Sequence, residues 1–134
     1  MTHSLPSDRE RDATLGARLG ITPILVSAEE TILEMPVLGN KQPAGFLHGG
    51  ATAALCEEAA STAANEHAKE SGAMAVGTGL SVTHLRPVRS GNVTAVASAE
   101  HLGKRSTVHY VRVIDADGTV ISTCLASNAL IDPS

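Results

Sequence analysis

Tryptophan is absent from this chain, and phenylalanine and tyrosine occur once each, as Phe46 and Tyr110. Aromatic rings therefore do not fill its interior. With 43% hydrophobic residues among 134, the core has to be built from Ala, Val, Leu and Ile, whose small side chains imply close approach of backbones. Cysteine is scarce as well. Cys56 and Cys124 form no framework by spacing, stand in apolar surroundings, and read as small buried residues of a reducing compartment. Long apolar runs are missing, so no membrane span is expected. The stretch Met1 to Asp12 is polar and charged, without the apolar segment of a secretory signal. A cytoplasmic location follows as an expectation, and the glycosylation pattern Asn92-Val-Thr94 has no consequence on that reading. The formal charge of −4, with no long basic run, argues against general nucleic-acid binding. The six histidines show no recognisable metal-ligand spacing, and no Gly-x-Ser-x-Gly elbow occurs, so neither a metal site nor Ser-His-Asp chemistry is expected.

What the chain does contain is concentrated between Gln42 and Pro87. The segment Gln42-Pro-Ala-Gly-Phe-Leu-His48-Gly49-Gly50 runs directly into an alanine-rich stretch, Ala51 to Ala68, with Glu57 inside it. Two glycines allow close approach to a ligand and open a helix whose first amides lack internal partners. Such a helix start stabilises negative charge, so Gly49 N–H is suited to hold an oxyanion. Glu57 places a carboxylate among small and apolar neighbours, where a charge has to be paired or used.

Helical geometry separates Glu57 from Glu58, because adjacent side chains project about 100° apart. From Glu58, steps of three and four reach Thr62, Asn65, Glu66 and Lys69, a polar stripe that reads as the solvated face, with His67 beside it. The same steps from Glu57 reach Ala53, Ala54, Ala60, Ser61, Ala64 and Ala68. Ser61, one turn on, can orient the carboxylate or a water, or bond back to its own helix carbonyl. On the residues alone, His48 reads equally as a hydrogen-bonding helix-start residue, and His84 as an ordinary strand histidine.

Element by element, the sequence predicts a short helix over 9–19, strands over 21–27 and 30–37, a loop over 39–46 and a long helix over 47–70. Four strands follow, over 75–86, 92–102, 106–115 and 119–131, with turn signals between them. One long helix and several consecutive strands favour an antiparallel α+β fold in which the sheet wraps the helix. The whole chain, 1–134, reads as one domain, with residues 1–8 expected to be a flexible tail. A free sheet edge and an uncovered helix face in so short a chain call for a second copy.

The His48-Gly49-Gly50 triplet before a helix carrying Glu57 and Ser61, with Gln42 upstream and Val76-Gly-Thr-Gly-Leu-Ser-Val-Thr-His84-Leu-Arg86-Pro87 downstream, resembles the hotdog-fold thioesterases. Within them it resembles the branch of phenylacetate-degradation, 4-hydroxybenzoyl-CoA and enterobactin-pathway proofreading thioesterases, and most of all the last type. The resemblance implies a homodimer, commonly paired into a tetramer, in which His48 and Gly49 of one subunit face Glu57 of the other. It implies hydrolysis of an acyl-CoA or acyl-carrier thioester with Glu57 as nucleophile or general base, and no cofactor beyond coenzyme A in the substrate. Gln42 and His48 would then orient the carbonyl or the thiolate, and His84 and Thr62 would meet the acyl group. Lys104, Arg105, Ser106 and Arg86 would meet the CoA phosphates. Thr62, Gly79 and Leu85 depart from the nearest pattern, which implies a reshaped acyl pocket, with aromatic acyl groups the first expectation. A noncatalytic acyl-CoA-binding hotdog module and a dehydratase of the same fold are the alternatives.

Overall fold

The computed structural model describes residues 13–133. The expected tail over 1–8 and the first part of the expected N-terminal helix lie outside them. Helix α1 (Leu15–Leu19) is followed by strands β1 (Thr22–Leu25) and β2 (Glu30–Pro36), the long helix α2 (Gly49–Lys69), and strands β3 (Met74–His84), β4 (Asn92–Leu102), β5 (Ser106–Ile114) and β6 (Val120–Ile131). The six strands form one antiparallel sheet in the order β1-β2-β4-β5-β6-β3, with α2 packed across β2 to β6. This is the hotdog arrangement, and the long helix and the last four strands fall within about two residues of their sequence-predicted bounds.

Period-two alternation produces the core. Thr31, Leu33 and Met35 of β2, Val93, Ala95 and Ala97 of β4, and Thr107, His109, Val111 and Val113 of β5 are all buried, with less buried residues between them. Against that surface α2 lays Ala59, Ala60, Ala63, Ala64 and Ala68, each with no exposed area, together with Leu55 and Cys56. Alanine is the best helix former and adds almost no thickness, so α2 forms readily and seats close to the sheet. Cys56 meets Cys124 there as a free thiol, and the hydrogen bond between them, followed by burial, pushes the Cys56 thiol well up. Among the described residues His109 is the one buried imidazole, and it donates from Nε2 to Ala28 O at 2.8 Å.

Turns close as the sequence signals them. At Asp115-Ala-Asp-Gly118 the aspartate carboxylate accepts from Asp117 N and Thr119 N, and Gly118 takes φ +81°, which only glycine adopts freely. The segment before α2 is held more firmly than a loop reading implies. Buried Asn40 donates to Leu19 O at 2.7 Å and Pro36 O at 2.8 Å, while its own carbonyl accepts from His48 N.

Two expectations on the polar half of α2 are corrected. Glu58 is half-buried rather than solvated, because α1 lies over it: a Cβ added at Gly16 would fall 2.3 Å from Glu58 Oε1. Burial raises the Glu58 carboxyl above its ordinary range. His67 is also half-buried, its Nε2 2.7 Å from Gly103 O, and Asn65 ties α2 to the start of β3 by accepting from Ala75 N at 2.9 Å. Only Lys69 at the end of the stripe is fully exposed, paired with Glu66 at 2.7 Å. Among the described residues, no helix is long and apolar enough to cross a membrane.

Leu55→Ala is expected to cost about 2–5 kcal/mol in urea unfolding, since it opens a cavity under a helix too well seated to collapse into it. Glu58 supplies a pH test. A carboxyl whose folded pKa is raised binds its proton more tightly in the folded state, so its contribution is most favourable below the unfolded pKa and is lost as pH rises through the folded one. Glu58→Gln should therefore raise the unfolding midpoint near neutral pH and leave it unchanged below the carboxylate range, at about pH 3.

Candidate active site

The start of α2 determines which groups are free to act. His48 is the N-cap, and its Nδ1 accepts from Gly50 N at 2.8 Å. Its carbonyl accepts from Ala51 N and Thr52 N, at 3.0 and 3.2 Å. The Thr52 bond is the first regular turn of the helix; with His48 N donating to Asn40 O, three of the four orphan donors of this helix end, on His48, Gly50 and Ala51, are satisfied. The fourth, Gly49 N–H, has no partner among the described residues, and it lies at the positive end of a 21-residue helix.

His84, at the end of β3, stands directly over that amide. A Cβ on Gly49 would lie 2.8 Å from His84 Nε2, so any other residue at 49 would push the ring away. The other ring nitrogen, Nδ1, lies 2.8 Å from Ser122 Oγ. Gly49, His84 and Ser122 share a cavity of about 390 Å³ with buried Thr52 and with apolar walls that include Leu85 and Ile121. Arg86 and Arg89 also line it, and the Arg89 guanidinium sits 5.5 Å from the centre of the Phe46 ring. Of these, Gly49, His84 and Arg86 were expected at a site; Phe46 and Ser122 were not singled out, and only the fold brings them in.

Glu57 is not in this cavity. Eight residues along α2 place it about 12 Å from Gly49, at roughly 1.5 Å per residue. Its side chain is exposed, and Oε1 lies 2.6 Å from where a Gly77 Cβ would be. Gly77 thus forms a notch in β3, next to the irregular register between Gly77 and Gly79. The buried side chain of Asn128, the residue paired with Gly77, faces the same notch, its Oδ1 3.9 Å from the Cβ position. That oxygen and Thr107 Oγ1 on the next strand are buried without a partner. Ser61 and Thr62 follow Glu57 on α2, both half-buried, and Ser61 uses its carbonyl to accept from Asn65 Nδ2 at 2.9 Å.

The remaining expected residues are separated. Gln42 closes the turn before α2, its side-chain Oε1 accepting from Ala44 N at 2.7 Å and its backbone N–H donating to Phe46 O. His48 is exposed and lines a different groove, between α1 and α2, with Leu15 and Leu19. Lys104, Arg105 and Ser106 form the β4–β5 turn, where Gly103 N donates to Ser106 O; Lys104 faces a cleft with His67 and Glu70 at the far end of α2. Within one chain they lie a helix length from Arg86.

Both edges of the sheet are exposed, and β3, with 11 residues against the 4 of β1, is the longer. β3 is exposed from Val76 to Ser81, and Val76, Leu80, Leu125 and Ile131 present apolar surface there.

The chain matches the family described as the Thioesterase superfamily over residues 44–122. It is 40% identical to the proofreading thioesterase EntH of Klebsiella pneumoniae over 119 residues, 88% of this chain and 86% of that protein. Among solved structures it is similar to a mutant of the thioesterase PA1618 of Pseudomonas aeruginosa, with a TM-score of 0.83 and 33% identity over 96% of both chains. It is likewise similar to the thioesterase HI1161 of Haemophilus influenzae, with a TM-score of 0.84 and 30% identity over 92% of this chain and 87% of that one.

Gly77→Ala separates folding from carboxylate placement. The added methyl collides only with the exposed end of the Glu57 side chain and meets Asn128 Oδ1 at ordinary contact distance, so thermal stability should change by less than about 1 kcal/mol. A crystal structure of the variant should show the Glu57 carboxylate displaced from the notch.

Proposed function

The chain belongs to the thioesterase superfamily and is a thioester hydrolase, and we propose that it cleaves an acyl-CoA, or the same bond on a carrier-protein phosphopantetheine, to free acid and thiol. The free Gly49 N–H carries this reading: an unpaired donor at a helix N-terminus, inside a cavity, is suited to the charge that builds on a thioester oxygen under attack. His84 stands beside it, and Leu85, Val88 and Ile121 offer an apolar surface for an acyl group. A volume of about 390 Å³ suits an aromatic ring such as benzoyl or phenylacetyl.

Glu57 is the carboxylate that attacks the carbonyl or takes a proton from the attacking water. Either a water's oxygen bonds to the carbonyl carbon as Glu57 takes its proton, or the Glu57 oxygen bonds there and a water then hydrolyses the mixed anhydride to free acid and carboxylate; in both the C–S bond breaks and the thiolate leaves to be protonated. Since about 12 Å of helix separates Gly49 from Glu57, a carbonyl held by one chain is attacked from a second copy. The exposed β3 edge and its apolar neighbours support a homodimer joined there, and dimers can pair into a tetramer. Arg86 and Arg89 meet the phosphates of the thiol handle in their own subunit, and Lys104 and Arg105 serve the partner's site. Ser61 and Thr62 shape the surroundings of Glu57, and Gln42 and His48 hold the loop that presents Gly49.

Thiol release from a panel of aromatic and aliphatic acyl-CoAs tests this reading. The parent should turn over aryl-CoAs, and Glu57→Ala should lower kcat by about 10²–10⁴ while retaining acyl-CoA binding. A folded parent that binds acyl-CoA and releases no thiol would show this substrate assignment to be wrong and point to a binding module or a carrier-protein substrate.

A further inference from the structure

Ser122 is 1% exposed, lies on β6 directly opposite His84 in the ladder, and holds Oγ 2.8 Å from His84 Nδ1. Among the described residues, Nδ1 is the only hydrogen-bond partner of its hydroxyl. We propose that Ser122 is a positioning residue that sets the tautomer of His84: its hydroxyl donates to Nδ1, so Nε2 carries the ring proton and stands as a second donor beside Gly49 N–H. The inference rests on the hydrolase reading for its consequence, though not for its geometry.

The assignment follows from accounting for donors. A hydroxyl has one proton to place and can also accept, whereas a neutral imidazole has one nitrogen that donates and one that accepts. If Nδ1 carried the proton and Ser122 accepted it, the serine's own O–H would be a buried donor with no acceptor, a loss of about 1–3 kcal/mol. If Ser122 donates, both groups are satisfied by one bond and the ring proton is left on Nε2. That nitrogen has no partner among the described residues, and it lies where the missing side chain of Gly49 lets it approach α2, 2.8 Å from the Cβ position of that glycine.

Two N–H donors then converge on one cavity from different elements, Gly49 N–H from the helix start and His84 Nε2–H from the end of β3. A thioester oxygen seated between them receives both hydrogen bonds, and both shorten as negative charge develops. Ser122 does not touch the substrate in this arrangement. It acts through His84, by keeping the proton on the nitrogen that faces the cavity.

The test combines a spectroscopic readout with a double-mutant cycle. Long-range proton–nitrogen correlation spectra of the parent should show His84 protonated at Nε2 and unprotonated at Nδ1, and Ser122→Ala should give a mixture of tautomers. Ser122→Ala should lower kcat on an aryl-CoA by about tenfold, with KM within about twofold, because the lost interaction strengthens only in the transition state. In a His84→Ala background the same change should have no further effect on kcat. A parent ring protonated at Nδ1, or an equal loss from Ser122→Ala with and without His84, would overturn the proposal. Should Ser122→Ala fail to fold, the parent spectrum decides alone. Should the folded parent hydrolyse no acyl-CoA, the substrate assignment fails while the spectrum still decides the role of Ser122.

Discussion

Five alanines with no exposed surface, Ala59, Ala60, Ala63, Ala64 and Ala68, let α2 sit directly on the sheet, and the candidate site depends on that contact. A thicker helix face would lift Gly49 away from His84, whose ring already occupies the space a side chain at 49 would need. The scarcity of aromatic residues and the geometry of the site are therefore linked. Side chains no larger than these bring helix and sheet close enough for a backbone amide and a strand imidazole to share one cavity.

The same close seating sets how polar groups are distributed. Around the helix start every amide but one is satisfied locally, by the ring and the carbonyl of His48 and by the carbonyl of Asn40, and the exception faces the cavity. Further along α2, Glu57 rests against a glycine notch in an exposed edge strand. The two features lie on one rigid helix, so their separation cannot change. That fixed separation is the physical ground for reading the functional unit as two copies of the chain, with the exposed β3 edge as the place where they join.

Much of this was legible from the residues. The long helix and the four strands after it were readable because alanine runs, period-two alternation and turn residues are local signals. Gly49 stood out for the same reason, as a glycine at a helix start. The errors came where a distant segment covers a residue. Glu58 faces outward from α2 by its spacing, yet α1 lies over it; His67 belongs to a polar stripe, yet Gly103 O of the β4–β5 turn accepts from its Nε2 at 2.7 Å. Periodicity describes which way a side chain points from its own helix and carries nothing about what arrives on that side.

Sequence alone determined an alanine-faced helix opening at Gly49, a carboxylate two turns along it, and a run of strands to pack against it, because each of these depends on neighbours a few residues apart. Tertiary structure decided which residues meet: His84 over Gly49, Ser122 behind His84, Arg89 on Phe46, and Glu57 in the Gly77 notch. Those pairings depend on strand register and on the placing of β3 at the edge beside β6, where contacts link residues some forty positions apart and one residue of slippage would turn every side chain to the opposite face.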